Sequence, residues 1–247
     1  IASCLVGSEM CIRDRVMGRH AGWIAAAGGL ASTKDSPLPL VILFPEITFN
    51  RKKFIKKVQE KVKKFGYCSI VVSEGVKGSN GQFLSDQGLK DAFGHAQLGG
   101  VAPVIANLIK EDLGFKYHWS VADYLQRAAR HIASQVDVDQ AYALGASAVK
   151  LAIEGQNAVM PTIERISDHP YKWKLGTARL SRVANIEKKM PKKFISIDGF
   201  GITPSCERYL KPLIKGEAYP PYKDGLPKYV TLKNKSVKKK LSNNFKI

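Results

Sequence analysis

The chain has 247 residues, of which 45% are hydrophobic and 24% charged, as is ordinary for a globular protein with one large domain or two modest ones. A formal net charge of +18 raises the question of nucleic-acid binding. Much of the excess, however, lies in residues 51–64 and in the tail from Lys228 onward, without interleaved aromatic residues. No apolar run approaches the roughly 20 residues of a membrane helix. We therefore expect a solvated, lysine-rich surface with neither a nucleic-acid nor a membrane partner.

The cysteines favour a cytoplasmic location. Cys4, Cys11, Cys68 and Cys206 are scattered, and none forms a CxxC pair. This spacing is typical of neither a zinc site nor a disulfide framework. Isolated cysteines in a chain of this size are typical of proteins in a reducing cytosol.

Residues 1–15 differ in character from the rest of the chain. They lack the basic start and long apolar stretch of a signal peptide, and they join abruptly to Val16. We interpret them as a non-native leader, such as translated adapter or vector sequence fused to a partial gene. A genuine, weakly ordered N terminus is the alternative. We leave these residues out of the predicted fold.

From Val16 onward, helical and strand patterns alternate along the chain. Helices are predicted over residues 22–31, 51–65, 101–113, 127–133 and 137–154. Strands are predicted over residues 39–44, 68–72, 117–122 and 158–166, with a loop over residues 76–97. This alternation predicts an α/β fold with a mostly parallel sheet and flanking helices.

Ligands of parallel sheets bind beyond the carboxyl ends of the strands, and one such place opens with Met17, Gly18 and Arg19. Gly18 lets a ligand approach the backbone, and the free N–H groups of a helix start attract anions. The guanidinium of Arg19 suits phosphate. On these residues alone, a packing role for Gly18 and a surface role for Arg19 are equally good interpretations.

Two further clusters follow strands. Glu74 comes after the strand at residues 68–72 and can accept hydrogen bonds from sugar hydroxyls, although by itself a capping or solvated acid is the better interpretation. Tyr124, Gln126, Arg127 and Arg130 lie where a strand gives way to a helix. Arg127 and Arg130 are spaced to share a helix face and hold one phosphate. Two cations near a helix start oppose its dipole, and this unfavourable placement indicates an anionic partner rather than an ordinary polar helix start.

Together, these clusters resemble the phosphofructokinase family. The segment VMGRHAGWIAAAGGLAS (residues 16–32) is similar to the family's motif for the fructose 6-phosphate site, Glu74 matches its sugar-binding acid, and residues 124–127 match its second phosphate-binding stretch. Residues 98–114 fit the helix before that stretch, and residues 180–191 and 212–222 resemble pyrophosphate-type members. The resemblance covers nearly all of residues 16–240.

The resemblance implies a reaction in glycolysis. The family transfers a phosphoryl group from ATP or pyrophosphate, with Mg²⁺, to the 1-hydroxyl of fructose 6-phosphate, giving fructose 1,6-bisphosphate. Arg19 would also stabilise charge on the transferring group. The acceptor-binding residues that it implies are Met17, Gly18, Arg19, Glu74, Tyr124, Leu125, Gln126 and Arg127.

The sequence also departs from the family. The catalytic aspartate lies in a TIDND-like motif and the donor loop is of GGDG or GGDD type, and neither motif occurs here. We therefore expect no catalytic residue and no Mg²⁺ ligand in this chain, with the metal ligands in a missing N-terminal part. The chain alone would be inactive. A non-catalytic, sugar-phosphate-binding regulatory subunit is the alternative.

The family fold implies a division of the chain. Residues 16–125 would form the second, fructose 6-phosphate-binding α/β lobe of a two-lobed fold whose N-terminal lobe is largely missing. Residues 126–247 would form a return helix and a C-terminal segment that pack mostly on that missing lobe and end in a basic tail. The full-length protein would be a homo-oligomer, a dimer or tetramer. Apolar faces left uncovered would make the isolated chain poorly soluble or marginally stable.

Overall fold

The computed structural model describes residues 10–90, 96–98, 100–122, 124–236 and 238. The strands are β1 (Met10–Val16), β2 (Leu40–Leu43), β3 (Ser69–Ser73), β4 (Asp86–Lys90), β5 (Ala96–Leu98), β6 (Tyr117–Val121), β7 (Val159–Asp168), β8 (Tyr171–Arg179), β9 (Tyr222–Lys223) and β10 (Leu226–Pro227). The helices are α1 (Trp23–Gly28), α2 (Arg51–Phe65), α3 (Val101–Leu113), α4 (Leu125–Ala128), α5 (Gln135–Ile153) and α6 (Pro204–Leu210).

A four-stranded parallel sheet with the order β2-β3-β1-β6 forms the centre of the fold. Its strands are short, and β2 and β3 are rich in the β-branched residues that suit a pleated, buried surface. Helices connect the strands, as parallel neighbours require. The predicted α/β fold with a parallel sheet is confirmed.

Alternate side chains of β2 and β3 point to opposite faces of the sheet, and each face has its own apolar core. Val41, Ile70 and Val72 pack against α2 and α3. Ile42 and Val71 pack on the other face, against α1 and the C-terminal part of the chain. All of these side chains are at most 8% exposed. The sheet is therefore the middle layer of three.

The helices α2 and α3 begin and end where the sequence predicts. The side chain of Asn50 accepts a hydrogen bond from the N–H of Lys53 at 3.0 Å, which caps the start of α2. Gly66 and Gly114 end α2 and α3 in the left-handed conformation, which glycine adopts without strain. Arg51 joins the two helices, because its guanidinium binds both carboxylate oxygens of Asp112 at 2.8 and 2.7 Å.

Other elements differ from the prediction. The helix expected over residues 22–31 is α1 followed by a 3₁₀ turn at Gly29–Ala31. The expected loop contains the strands β4 and β5, which pair in an antiparallel manner. They were not predicted, because short polar strands lack an apolar pattern. The helix expected from residue 137 begins at Gln135, and the side chain of Ser134 caps it by accepting a hydrogen bond from the N–H of Asp137 at 3.2 Å.

The predicted strand at residues 158–166 lies outside the parallel sheet. It is the first arm of an antiparallel hairpin in which β7 pairs with β8 from Val159–Arg179 to Asp168–Tyr171. The strand β8 was not predicted, although Tyr171, Trp173 and Leu175 alternate with lysines as in a half-exposed strand. Hairpins expose one face to solvent more readily than parallel strands do.

The predicted exclusion of residues 1–15 from the fold is corrected in part. Met10–Val16 form β1, which pairs with β3 on one side and β6 on the other. Without β1, the facing backbone groups of β3 and β6 would lose their partners in the sheet. Residues 1–9 lie outside the described part of the chain. The non-native origin of the leader stays a prediction.

The C-terminal segment also differs from the expected division of the chain. Met190, Phe194, Ile195, Cys206 and Leu210 are buried in the core on the second face of the sheet. The six-residue α1 is too short to cover that face by itself, so apolar burial draws in the later segment. Residues 190–210 therefore belong to the same α/β layer structure as residues 16–125.

The loop at residues 196–201 fixes the segment on the edge of the sheet. The N–H of Ile42 in β2 donates to the carbonyl of Phe200 at 2.9 Å. The carboxylate of Asp198 binds Lys57 Nζ of α2 at 2.7 Å and accepts from Ser196 Oγ at 2.6 Å. The unpaired edge of β2 is thereby covered.

One face of α5 is apolar and exposed. Tyr142, Val149 and Ile153 lie at helical spacing and are 80%, 61% and 82% exposed, and no residue of α5 is buried. No helix in the described ranges has the length and apolar character that crossing a membrane requires. An exposed apolar face such as that of α5 favours contact with another protein surface.

We expect the isolated chain to self-associate through α5. Replacing Tyr142, Val149 and Ile153 together by Gln should shift the chain from oligomers toward monomer, because the substitutions remove the apolar face of α5 through which the chains would associate. Size-exclusion chromatography with light scattering measures this shift. The control replaces Tyr229, Val230 and Leu232, which are also exposed, by Gln. A monomeric wild-type chain, or an equal effect of both triple variants, would contradict the expectation.

We also expect the free energy of unfolding to depend on pH through the ionisation of Asp198. Burial raises the pKa of Asp198, but hydrogen bonds from Lys57, Ser196 and the N–H of Phe200 outweigh burial and lower the pKa to about 2. Because the folded pKa lies below the ordinary value of about 3.9, the ionised carboxylate stabilises the fold above pH 4. That stabilisation is lost as the pH falls from about 4 to about 2.

Urea denaturation of wild type and Asp198→Asn between pH 6 and pH 2 tests this dependence. The variant should be less stable at pH 6, and the difference should shrink toward pH 2. Asp35→Asn in an exposed loop is the control and should show no such convergence. A constant difference between wild type and Asp198→Asn across this range would be the contrary result.

Candidate functional site

The carboxyl ends of β1 and β3 meet at the residues that the sequence singles out. The N–H of Glu74 donates to the carbonyl of Val16 at 3.0 Å. Ser73 Oγ donates to the carbonyl of Gly18 at 2.6 Å. The N–H of Gly18 donates to Glu74 Oε1 at 3.4 Å. The first two predicted clusters are therefore in direct contact.

The third cluster joins them from the far side of β1. The N–H of Met17 donates to Gln126 Oε1 at 2.9 Å, although the two residues are 109 positions apart. Gln126 lies in α4, directly after β6. The three predicted clusters thus come together at one edge of the sheet, beyond the carboxyl ends of β1, β3 and β6.

Two glycines are required for this contact. Gly18 has φ +131°, and a Cβ atom there would lie 2.4 Å from the carbonyl oxygen of Ala21. A Cβ atom on Gly75 would lie 1.7 Å from the carbonyl oxygen of Arg19. The backbone of Arg19 therefore rests directly on the residue that follows Glu74.

The remaining predicted residues differ in their exposure. Arg19 is half-buried. Tyr124 and Leu125 are 67% and 64% exposed, and Arg127 is exposed as well. Their side chains face solvent beside Gln126, where a ligand can reach them. Asp123 lies outside the described residues.

The predicted pairing of Arg127 and Arg130 on one helix face is wrong. The helix α4 ends at Ala128, the backbone turns at Ala129 with ψ 59°, and Arg130 opens a separate 3₁₀ turn. The guanidinium of Arg130 donates to the carbonyl of Ala218. Tertiary contact with the C-terminal segment has overridden the local helical pattern, so these two cations do not form one phosphate clamp.

Glu46 was not among the residues predicted from the sequence. Its Oε1 accepts hydrogen bonds from the N–H of Gly22 at 2.9 Å and from the N–H of Met190 at 3.0 Å. Its Oε2 is buried and has no hydrogen-bond partner among the described residues. The sequence does contain a signal for this residue, because Glu46 is an acidic residue that follows β2 as Glu74 follows β3. Glu46 fixes the start of α1 relative to residue 190.

Residues 187–190 close over the loop that carries Arg19. His20 Nδ1 contacts Glu187 Oε1, and Trp23 Nε1 donates to the carbonyl of Lys188 at 2.7 Å. The ring of His20 also stacks on Phe83 with 6.1 Å between centroids. These contacts hold the side chain of His20, the residue after Arg19, in place.

The described residues do not fit a metal site. Within the described ranges, no three His, Cys, Asp or Glu side chains lie close enough together to hold a metal ion. Magnesium requires several oxygen ligands in near-octahedral geometry. The location of the Mg²⁺ ligands therefore stays a prediction.

We expect Gly75→Ala to disrupt the site. The new methyl group would meet backbone rather than a flexible side chain, so the free energy of unfolding should fall by more than about 2 kcal/mol. Urea denaturation measures the change. Gly145→Ala in α5, where nothing lies within 4 Å of the new atom, is the matched control and should stabilise by about 0.5–1 kcal/mol. Equal stability of wild type and Gly75→Ala would contradict the close contact.

Comparison with known proteins points to one family. The family model described as "Phosphofructokinase" matches residues 8–152. The pyrophosphate–fructose 6-phosphate 1-phosphotransferase of Methylococcus capsulatus is 64% identical over 232 residues, which are 94% of this chain and 55% of that protein. The protein of the same name from Halomonas elongata is 59% identical over 241 residues, covering 98% of this chain and 58% of that protein. The chain spans about half the length of these curated relatives.

Solved structures agree with the sequence comparison. The crystal structure of a pyrophosphate-dependent phosphofructokinase from Nitrosospira multiformis superposes with a TM-score of 0.86 at 62% identity, covering 98% of this chain and 57% of that one. The corresponding structure from Marinobacter aquaeolei gives a TM-score of 0.85 at 52% identity, covering 100% of this chain and 58% of that one. Sequence and fold lead to the same conclusion: the chain belongs to the phosphofructokinase family.

Proposed function

We propose that this chain supplies the sugar-phosphate side of a pyrophosphate-dependent phosphofructokinase. The observation that carries the proposal is the meeting of Gly18, Glu74 and Gln126 at one edge of the sheet, through the Gly18–Glu74 and Met17–Gln126 hydrogen bonds. A parallel sheet binds its ligands at this edge. The acceptor substrate is fructose 6-phosphate, as the names of the similar proteins indicate.

In the proposed reaction, the 1-hydroxyl oxygen of fructose 6-phosphate attacks the terminal phosphorus of pyrophosphate. A new P–O bond forms, the bond to the bridging oxygen breaks, and orthophosphate leaves. The hydroxyl proton passes to a carboxylate base. Phosphoryl transfer of this kind depends on positioning and charge stabilisation more than on covalent chemistry by the protein.

The residues of this chain would position the acceptor. Glu74 would accept hydrogen bonds from sugar hydroxyls, and its contact with the N–H of Gly18 sets the orientation of the carboxylate. Arg19 and Arg127 would bind phosphate as bidentate donors. Tyr124, Leu125 and Gln126 would complete the binding surface. Arg19 would also stabilise negative charge on the phosphoryl group in the transition state of the transfer.

The base and the donor site would come from elsewhere in the active enzyme. This sequence contains neither a TIDND-like motif nor a GGD-type loop. We therefore propose that the chain binds the acceptor but does not transfer the phosphoryl group alone. Pyrophosphate is favoured over ATP as the donor because similar proteins at 64% and 59% identity carry pyrophosphate in their names.

Isothermal titration of the chain with fructose 6-phosphate tests the acceptor site. Glu74→Ala should weaken binding by about ten-fold or more, since a hydrogen bond to a charged group contributes about 1.5–3 kcal/mol. Glu60→Ala on the exposed face of α2 removes the same charge away from the site and should leave binding unchanged. Equal effects of the two variants would contradict the assignment of Glu74.

Incubation of the chain with fructose 6-phosphate, pyrophosphate and Mg²⁺ tests the second half of the proposal. Release of orthophosphate should not rise above that of a sample without protein. Formation of fructose 1,6-bisphosphate would show that the chain carries its own base and would overturn this part, while leaving the acceptor site standing.

A further inference from the structure

A cavity of about 710 Å³ lies at the carboxyl end of β2, and none of the predicted substrate-binding residues lines it. Its walls come from the end of β2, the start of α2 and the segment at residues 192–203. A volume of this size is typical of small-molecule sites, which measure about 300–1,000 Å³. The reaction proposed above does not use this cavity.

The lining combines an apolar floor with a cationic rim. Leu43, Phe44, Val76 and Ile195 contribute buried apolar side chains. Three lysines line the same cavity, namely Lys53, Lys192 and Lys193. Asp198 also lines it but is already bound by Lys57 and Ser196. Within the described ranges, none of the three lysines forms an ion pair, so the rim carries uncompensated positive charge.

Contacts within the protein hold the wall of the cavity in place. The contact of Asp198 with Lys57 ties residues 196–201 to α2, and the bond from the N–H of Ile42 to Phe200 ties them to β2. Thr203 Oγ1 donates to the carbonyl of Lys193 at 2.8 Å and fixes the backbone between the two lysines and α6. A preformed wall lowers the ordering cost of binding.

We propose that this cavity is a second ligand site, which binds an organic phosphate ester with an apolar body. The buried floor would take the apolar part of the ligand, and the three lysines would neutralise a dianionic phosphate group. Thr48 and Ser79 at the rim would donate further hydrogen bonds. The site is separate from the fructose 6-phosphate residues and does not depend on the function proposed for them.

Isothermal titration with 1-naphthyl phosphate tests the chemistry of this site. The ester should bind at least ten-fold more tightly than 1-naphthol, which lacks the charge, and than inorganic phosphate, which lacks the apolar body. Equal affinity for the ester and either of its parts would overturn the proposed ligand class. Saturating fructose 6-phosphate should not displace the ester; displacement would show that the two sites are one.

Variants locate the site. Lys53→Gln with Lys193→Gln should weaken binding of 1-naphthyl phosphate by about ten-fold or more. The control, Lys56→Gln with Lys189→Gln, removes the same charge from exposed positions outside the cavity and should leave the affinity unchanged. An equal loss of affinity in the two double variants would show that the ester responds only to the general positive charge of the protein, and would overturn the proposal.

A cavity-filling variant gives an independent test. Thr48 is exposed at the rim, so Thr48→Trp places a large ring in the opening without displacing packed core. Binding of 1-naphthyl phosphate should be lost, while binding of fructose 6-phosphate and the far-ultraviolet circular dichroism spectrum stay those of wild type. Unchanged affinity for the ester in Thr48→Trp would place its site elsewhere and refute the assignment.

Discussion

The close contact between the turn after β1 and the turn after β3 is the constraint on which the rest of the site depends. Gly75 lies so near the backbone of Arg19 that only a hydrogen side chain fits, and Gly18 takes a conformation that other residues avoid. Ser73 and Glu74 then bind Gly18 from the neighbouring strand. The position of the Arg19 side chain therefore follows from backbone geometry, which a parallel sheet holds rigidly.

Local patterns were sufficient to predict the parts of the fold with strong local signals. The apolar spacing in α2 and α3 and the glycine after α3 predicted their bounds correctly, because caps and amphipathic faces are encoded within a few residues. The same holds for β2 and β3, whose runs of buried apolar residues admit no other role in an alternating chain.

The features that were missed depend on contacts between distant residues. Nothing local shows that α4 stops at Ala128, since Arg130 is drawn away by the carbonyl of Ala218. The bond from Glu46 to Met190 crosses 144 positions. Gln126 was named from a family motif, but its partner, the N–H of Met17, follows only from the strand order. Sequence patterns found the chemical groups, and the sheet topology brought them together.

Residues 190–210 are synthesised long after the sheet that they cover, and this order has a consequence during translation. The sheet face formed by Ile42, Phe44 and Val71 is covered only in part, by α1, until Met190 and the residues after it leave the ribosome. At about 5–20 residues per second, the interval between positions 71 and 190 lasts roughly 6–24 seconds. Throughout that time the nascent chain presents an apolar sheet face, so a chaperone that shields such surfaces would bind this chain during its translation rather than after it.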